Sequence, residues 1–242
     1  MKNRDMDGLR CLNRDVIKYI AMLTMFLNHF AEIFLKGRGV FQEVLTDIGY
    51  FTAITMCYFL AEGYEHTRSK KKYGIRLFVF ACISEFPFCF AFEYSALNML
   101  FTLFFCFLIL VAREKINNTV LRIFVIFLLI VVTINCDWPL LAAIFTVLFA
   151  KYKDDRKKLA VSYGISYLIF VIINLMNYEM LPLLSALFHS ALGGIGLLVS
   201  GLVILFLYNG KRAEYGRKFS KWFFYIFYPA HLLILGLIHN FM

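Results

Sequence analysis

The chain has 242 residues, 61% of them hydrophobic and 18% aromatic, and a mean hydropathy of +0.72, which is too apolar for a soluble globular domain. Its net charge of +9 would suit a nucleic-acid binder, but the placement of the basic residues assigns them another role, and no nucleic-acid partner is expected. Nine membrane spans at roughly 20 residues each would use about 180 residues, which leaves no room for a soluble catalytic domain.

Nine apolar runs follow one another: Val16–Leu35, Val44–Glu62, Tyr73–Tyr94, Leu97–Ala112, Thr119–Ile134, Trp138–Ala150, Leu159–Met176, Pro182–Tyr208 and Phe219–Phe241. They predict an all-α, multi-pass helical bundle with about nine transmembrane helices, formed as one integral-membrane domain over residues 1–242. All but two of the 25 lysines and arginines, Lys36 and Arg38, lie in the N-terminal flank or in every second loop after it. By the positive-inside rule the N-terminus is cytoplasmic and the C-terminus lies outside. Met1–Asn13 is charged and leads into a span expected to be retained, so no cleavable signal is expected.

Local features refine three of these runs. Pro87 removes a hydrogen bond to the Ile83 carbonyl and predicts a kink in the third span. Trp138–Ala150 is short for a full crossing. Pro182–Tyr208 would be about 40 Å long as one helix, so it should tilt, or bend near Gly193-Gly194. It also carries small residues at every fourth position, Ala186, Ser190 and Gly194, a close-packing face for a neighbouring helix. Cysteines 11, 57, 82, 89, 106 and 136 show no metal-type spacing and lie mostly inside helices, so neither a metal nor a disulfide is expected.

Ionisable groups at membrane depth are costly, and each is a candidate site residue. On the first span Lys18 and His29 are eleven residues apart, about three full turns, and Glu32 follows one turn later on the same face. The face runs from a cation at the cytoplasmic boundary past Met22 and Met25 to an imidazole about 16 Å deeper. These residues also admit a structural reading, with Lys18 snorkelling to the headgroups and His29 bonded to a neighbouring helix. Glu85 falls in mid-span beside Pro87, as an ion-pair partner or a site residue. His189 and His231 lie inside the eighth and ninth spans, while Asn98, Asp137 and Glu179 map to outer helix ends and His239 to the outer interface.

Several of these residues fall in segments that resemble the TraX family. The segments are Asn13–Met22 with Asn28-His29, Gly63–Ser69, Tyr73–Leu77, Ser84–Phe88, Asn98–Leu103, Leu207–Arg212 and Phe224–Leu232, in order over nearly the whole chain. The resemblance implies N-terminal acetylation of a pilin. The chain is also similar to the wider transmembrane acyltransferases that modify surface glycans, which open with an arginine, ten residues and a histidine. Lys18 stands in place of that arginine, and Asn28 stands where TraX proteins often carry an aspartate.

What the resemblance implies is acetyl transfer from cytoplasmic acetyl-CoA, across or within a bacterial cytoplasmic membrane, with no metal. The polyanionic donor would meet Lys18, Arg14, His66, Arg68, Lys70, Lys71, Lys72 and Arg76, although topology alone also accounts for that basic run. A neutral His29 would take the proton of the acceptor, with Glu32 or Glu85 orienting the imidazole and His231 as the second candidate base. Asn98 would hydrogen-bond the thioester oxyanion, and Asn98, Asp137 and His189 are the candidate acceptor contacts. The acceptor is a peptide, a pilin or a glycan, the other partners are membrane lipids, and homo-oligomers are compatible with the pattern. Two further classes stay open: a glycan or lipid O-acyltransferase, and a proton-coupled transporter whose intramembrane Glu and His form an ion path.

Overall fold

The computed structural model describes residues 10–93 and 96–241. Lys2 and Arg4 of the charged N-terminal flank, and Tyr94 at the expected end of the third span, lie outside the described residues.

The described residues form α1 (Arg14–Phe34), α2 (Val40–His66), α3 (Lys70–Phe92), α4 (Met99–Lys115), α5 (Thr119–Val132), α6 (Leu141–Tyr152), α7 (Arg156–Asn174), α8 (Leu183–Gly193), α9 (Ile195–Leu202) and α10 (Arg217–Phe241). With α8 and α9 counted as one interrupted run, this gives nine helical segments among the described residues, matching the nine apolar runs. Six runs are long and apolar enough to cross a membrane, from Arg14–Phe34 to Arg217–Phe241, so the chain is a multi-pass membrane protein.

Helix ends follow from capping chemistry. Asn13 accepts the Asp15 and Val16 amides at the start of α1, Ser69 accepts Lys72 at α3, Asn98 accepts Leu100 at α4 and Asn118 accepts Leu121 at α5. α3 ends on Glu93 in the left-handed region, at φ 58°, and stays helical through Pro87. The expected bend at Gly193-Gly194 is a break, with α8 ending at Gly193 and α9 starting after Gly194.

The chain divides into two compact units, residues 1–55 with 156–227 and residues 56–155 with 228–242, so α2 and α10 each contribute to both. In the first unit α1 and α2 are bolted by side chains: Thr24 and Thr52 hydroxyls lie 2.8 Å apart and Asn28 donates to the Thr46 carbonyl at 2.9 Å. The predicted small-residue face is buried here: Ser190 donates to the Val171 carbonyl at 2.6 Å, and a Cβ on Gly194 would meet the Tyr167 ring at 2.5 Å. Gly196 lies against the α2 backbone, where a Cβ would be 2.6 Å from the Asp47 carbonyl oxygen. In the second unit the core is aromatic, with Tyr64 and Tyr73 both edge-on to Phe107 at 5.4 Å.

Candidate functional site

Three groups of polar side chains emerge, two in the first unit and one in the second. The first begins at the start of α1. The backbone around Leu12 pairs with the segment after α9: the Leu12 amide donates to the Leu207 carbonyl at 3.0 Å, Asn209 to Leu12 at 2.9 Å, and Arg14 to Lys211 at 2.9 Å. Asp15, buried, accepts the Ala213 amide at 2.8 Å. Two motifs some 195 residues apart (Leu12 to Leu207) thus form one module that brings Arg14 and the Lys211 backbone together. One turn on, Lys18 is half-buried, with its ammonium 5.0 Å from the centre of the Phe224 ring. At the other end of α1 His29 is buried at 7% exposure and Glu32 is half-buried. Asn28, at the position where the resemblance places an aspartate, is a packing donor to α2.

A second group lies at the far end of the first unit. Glu43 Oε1 is 2.8 Å from His189 Nδ1 and accepts the Tyr178 hydroxyl at 3.1 Å. The Tyr178 and His189 rings stack at 5.5 Å. Asp47, one turn along α2 from Glu43, is half-buried, and a Cβ on Gly193 would be 3.3 Å from its carboxylate. The sequence marks His189 but not its partner Glu43, because the apolar run begins at Val44 whereas α2 begins at Val40. Asp47 lay inside the expected span, and an acidic residue at membrane depth was the signal available for it.

The third group draws together four predicted residues of the second unit. Asn98, fully buried, donates from Nδ2 to Glu85 Oε2 at 2.6 Å and to the Ala81 carbonyl at 2.8 Å, while its backbone amide donates to the same Glu85 oxygen at 3.1 Å. The Cys89 thiol faces Glu85 Oε1 at 3.8 Å. The next amide, Met99, donates to the Tyr228 hydroxyl at 3.2 Å, and the Tyr228 ring lies edge-on to His231 at 5.8 Å. Asp137 joins through backbone: its amide donates to Leu97 at 2.7 Å and its carbonyl accepts Thr102 at 2.5 Å. Burial pushes the Asp137 carboxyl up to about 6 and the Cys136 thiol up to about 11. The turn that follows holds Trp138 and Leu140 at φ 60° and 61°, left-handed conformations that cost non-glycine residues about 1–3 kcal/mol each.

His66 and Arg68 are exposed, Lys72 is exposed, and Arg76 is half-buried with its guanidinium 5.6 Å from the Tyr73 ring. His66 Nδ1 is 2.9 Å from the Glu62 carbonyl. Lys70 is engaged by Glu114, which also accepts the Tyr64 hydroxyl, so its charge is already met. Lys71 is exposed.

The class these observations define is a multi-pass helical membrane protein that carries histidine, carboxylate and amide groups at membrane depth. The chain belongs to the TraX protein family, whose model matches residues 13–239. It is 31% identical over 232 residues to the probable fimbrial assembly protein FimC, serogroup H1, of Dichelobacter nodosus, covering 90% of this chain and 92% of that relative. No solved structure matches it.

Proposed function

We propose that this TraX-family protein is an integral-membrane acetyltransferase that moves an acetyl group from cytoplasmic acetyl-CoA to an acceptor amine, at a peptide or pilin N-terminus. The observation that carries this reading is α1, which holds Arg14 and Lys18 in its first turns and buried His29 three turns deeper. The positive-inside distribution supports a cytoplasmic N-terminus, and thus a donor that enters beside Arg14 and Lys18. About 16 Å of helix then separates the phosphate end from the imidazole, a distance suited to an extended pantetheine arm. The assembly role in the relative's name is compatible with a pilus subunit as acceptor.

The chemistry is a simple exchange of bonds. The amine nitrogen attacks the thioester carbonyl carbon, the carbon–sulfur bond breaks, and the CoA thiolate leaves. A neutral His29 takes the proton that the nitrogen sheds, with Glu32, one turn away on the same helix, as the carboxylate that orients it. Asn98 is tied to Glu85 and to its own helix, which leaves a backbone amide or another donor to meet the oxyanion. Titration calorimetry with CoA on the detergent-purified protein is the primary test, with Kd in the micromolar range expected. A folded protein with no CoA affinity refutes the reading. Mass spectrometry of surface peptides and glycans, with and without the protein, then separates N- from O-acetylation.

A further inference from the structure

We propose that Glu43, Asp47, Tyr178 and His189 form a site that takes a primary ammonium group and removes its proton. This deepens the acetyltransferase reading and rests on it for the use of the amine, though not for its binding. An ammonium cannot attack a thioester, because its lone pair is held by a proton. An enzyme acetylating an amine at neutral pH must therefore collect the cation first and neutralise it second.

The geometry suits both steps. The His189–Glu43 contact through Nδ1 leaves Nε2 as the imidazole position for a ligand, and a carboxylate at Nδ1 sets the tautomer with a lone pair there. The pair is reachable, with His189 33% and Glu43 27% exposed at their side chains. Two carboxylates from consecutive turns of α2 face one histidine, so the cluster with neutral His189 carries up to two negative charges at a depth where charge is expensive. A ligand cation offsets that cost. Tyr178 stacks on His189, and Phe188 stands edge-on at 6.0 Å while 62% exposed, so aromatic faces flank the carboxylates as in other ammonium sites.

The position also fits a hand-over within the first unit. Asn28 bonds to the Thr46 carbonyl and Thr24 to Thr52, a register that puts His29 and Asp47 within about one turn of each other along the paired helices. The proton balance closes. The ammonium gives one proton to His189 Nε2, and the imidazolium is held by Glu43. The neutral amine then attacks and gives its second proton to His29.

The test uses the full-length protein in nanodiscs, with the histidine ring nitrogens read by NMR. The probes are an apolar peptide with a free N-terminus, the same peptide N-acetylated, and phosphatidylethanolamine in place of phosphatidylcholine. Signals assigned through His189→Gln should move with the free peptide, stay still with its acetylated copy, and need at least tenfold more peptide in Glu43→Gln and Asp47→Asn. Movement with phosphatidylethanolamine alone also supports the site and makes a lipid headgroup its occupant. In acetyl transfer, His189→Gln should lose at least tenfold in kcat/KM for the peptide at pH 6.5, with KM for acetyl-CoA unchanged. The loss should shrink as pH rises past the α-amino pKa of about 8, where the amine arrives neutral; a structural role gives no such rescue. Wild-type protein that binds the free peptide but transfers no acetyl group sinks the acetyltransferase reading and leaves the site standing. Silence to both ammonium probes, or a His189→Gln defect equal at pH 6.5 and pH 9, overturns the proposal. Should His189→Gln not fold, the Glu43→Gln and Asp47→Asn titrations decide it.

Discussion

Replacing Asn98 with alanine removes three side-chain bonds at one point: the cap to Leu100 at 2.9 Å, the donor to Ala81 at 2.8 Å and the donor to Glu85 at 2.6 Å. The cap is worth about 1 kcal/mol. The bond to the carboxylate is worth about 1.5–3 kcal/mol by measurements on charged partners, but interhelical hydrogen bonds in membranes average only about 0.6 kcal/mol. Two features move this one above that average. The acceptor is ionisable and partly buried, and Asn98 itself is fully buried, so no water or lipid group replaces the lost amide. The Asn98 backbone amide still reaches Glu85 Oε2 at 3.1 Å in the variant, which limits the loss. The Ala81 carbonyl belongs to α3 and retains its helical partner, so it adds little. The sum is about 2–4 kcal/mol.

Asn98→Ser separates the contributions, because serine caps as well as asparagine but is too short to reach Glu85. It should cost about 1 kcal/mol less than alanine. Reversible unfolding in mixed micelles measures both, and a double-mutant cycle with Glu85→Gln should give a coupling of at least about 1 kcal/mol. An Asn98→Ala loss below about 0.5 kcal/mol, or additivity with Glu85→Gln, refutes the assignment of Asn98 as the pin between α3 and α4.

Three further outcomes follow from the same reasoning. His29→Ala should cost about 10²–10⁴ in acetyl transfer with CoA binding intact, whereas Lys18→Ala should weaken CoA binding about tenfold to a hundredfold; kinetics beside calorimetry tests the split, and His231→Ala reports on the second base. Gly196→Ala should destabilise by about 1–3 kcal/mol, since its Cβ would press on the Asp47 and Phe51 backbone at 2.6 and 2.9 Å, while Gly164→Ala, with nothing within 4 Å, should gain up to about 1 kcal/mol; thermal melts of the two variants compare them. Asp137 carries a carboxyl raised to about 6 in the folded state, so folding favours its protonated form and stability contributed here is present below pH 4 and lost as pH rises through 6. Asp137→Asn should therefore raise the melting temperature at pH 8 and have much less effect at pH 4.5.

The helical framework was legible because membrane spans obey a length rule and their ends obey capping rules, both local. Even the break at Gly193-Gly194 could be read from a run too long for one crossing. What escaped was non-local or lay at a boundary. Leu12 and Tyr208 pair through backbone, which carries no residue signature. Glu85 reads as a mid-span carboxylate and Asn98 as a polar group at an outer helix end, but thirteen residues of separation do not disclose a 2.6 Å bond. Glu43 escapes because α2 begins at Val40, four residues before the apolar run does.

Hydrogen-bond saturation sorts the candidate residues better than burial does. Glu85 receives the side chain and backbone of Asn98 on one oxygen and faces a thiol across the other, so its lone pairs are largely committed to holding α3 to the start of α4. Such a group positions helices and is poorly placed to accept a substrate proton. Glu114 is likewise met by Lys70 and Tyr64, which takes Lys70 out of the set of cations open to a phosphate. Glu43 differs in kind, because its two donors are themselves a histidine and a phenol at a partly exposed position, and the histidine has a second nitrogen. A proton delivered to that nitrogen is stabilised by the carboxylate behind it, whereas a proton delivered to Glu85 would break the contacts that hold it. The carboxylate–histidine pair of the first unit thus keeps an imidazole nitrogen clear of the contacts that hold its helices, which Glu85 does not.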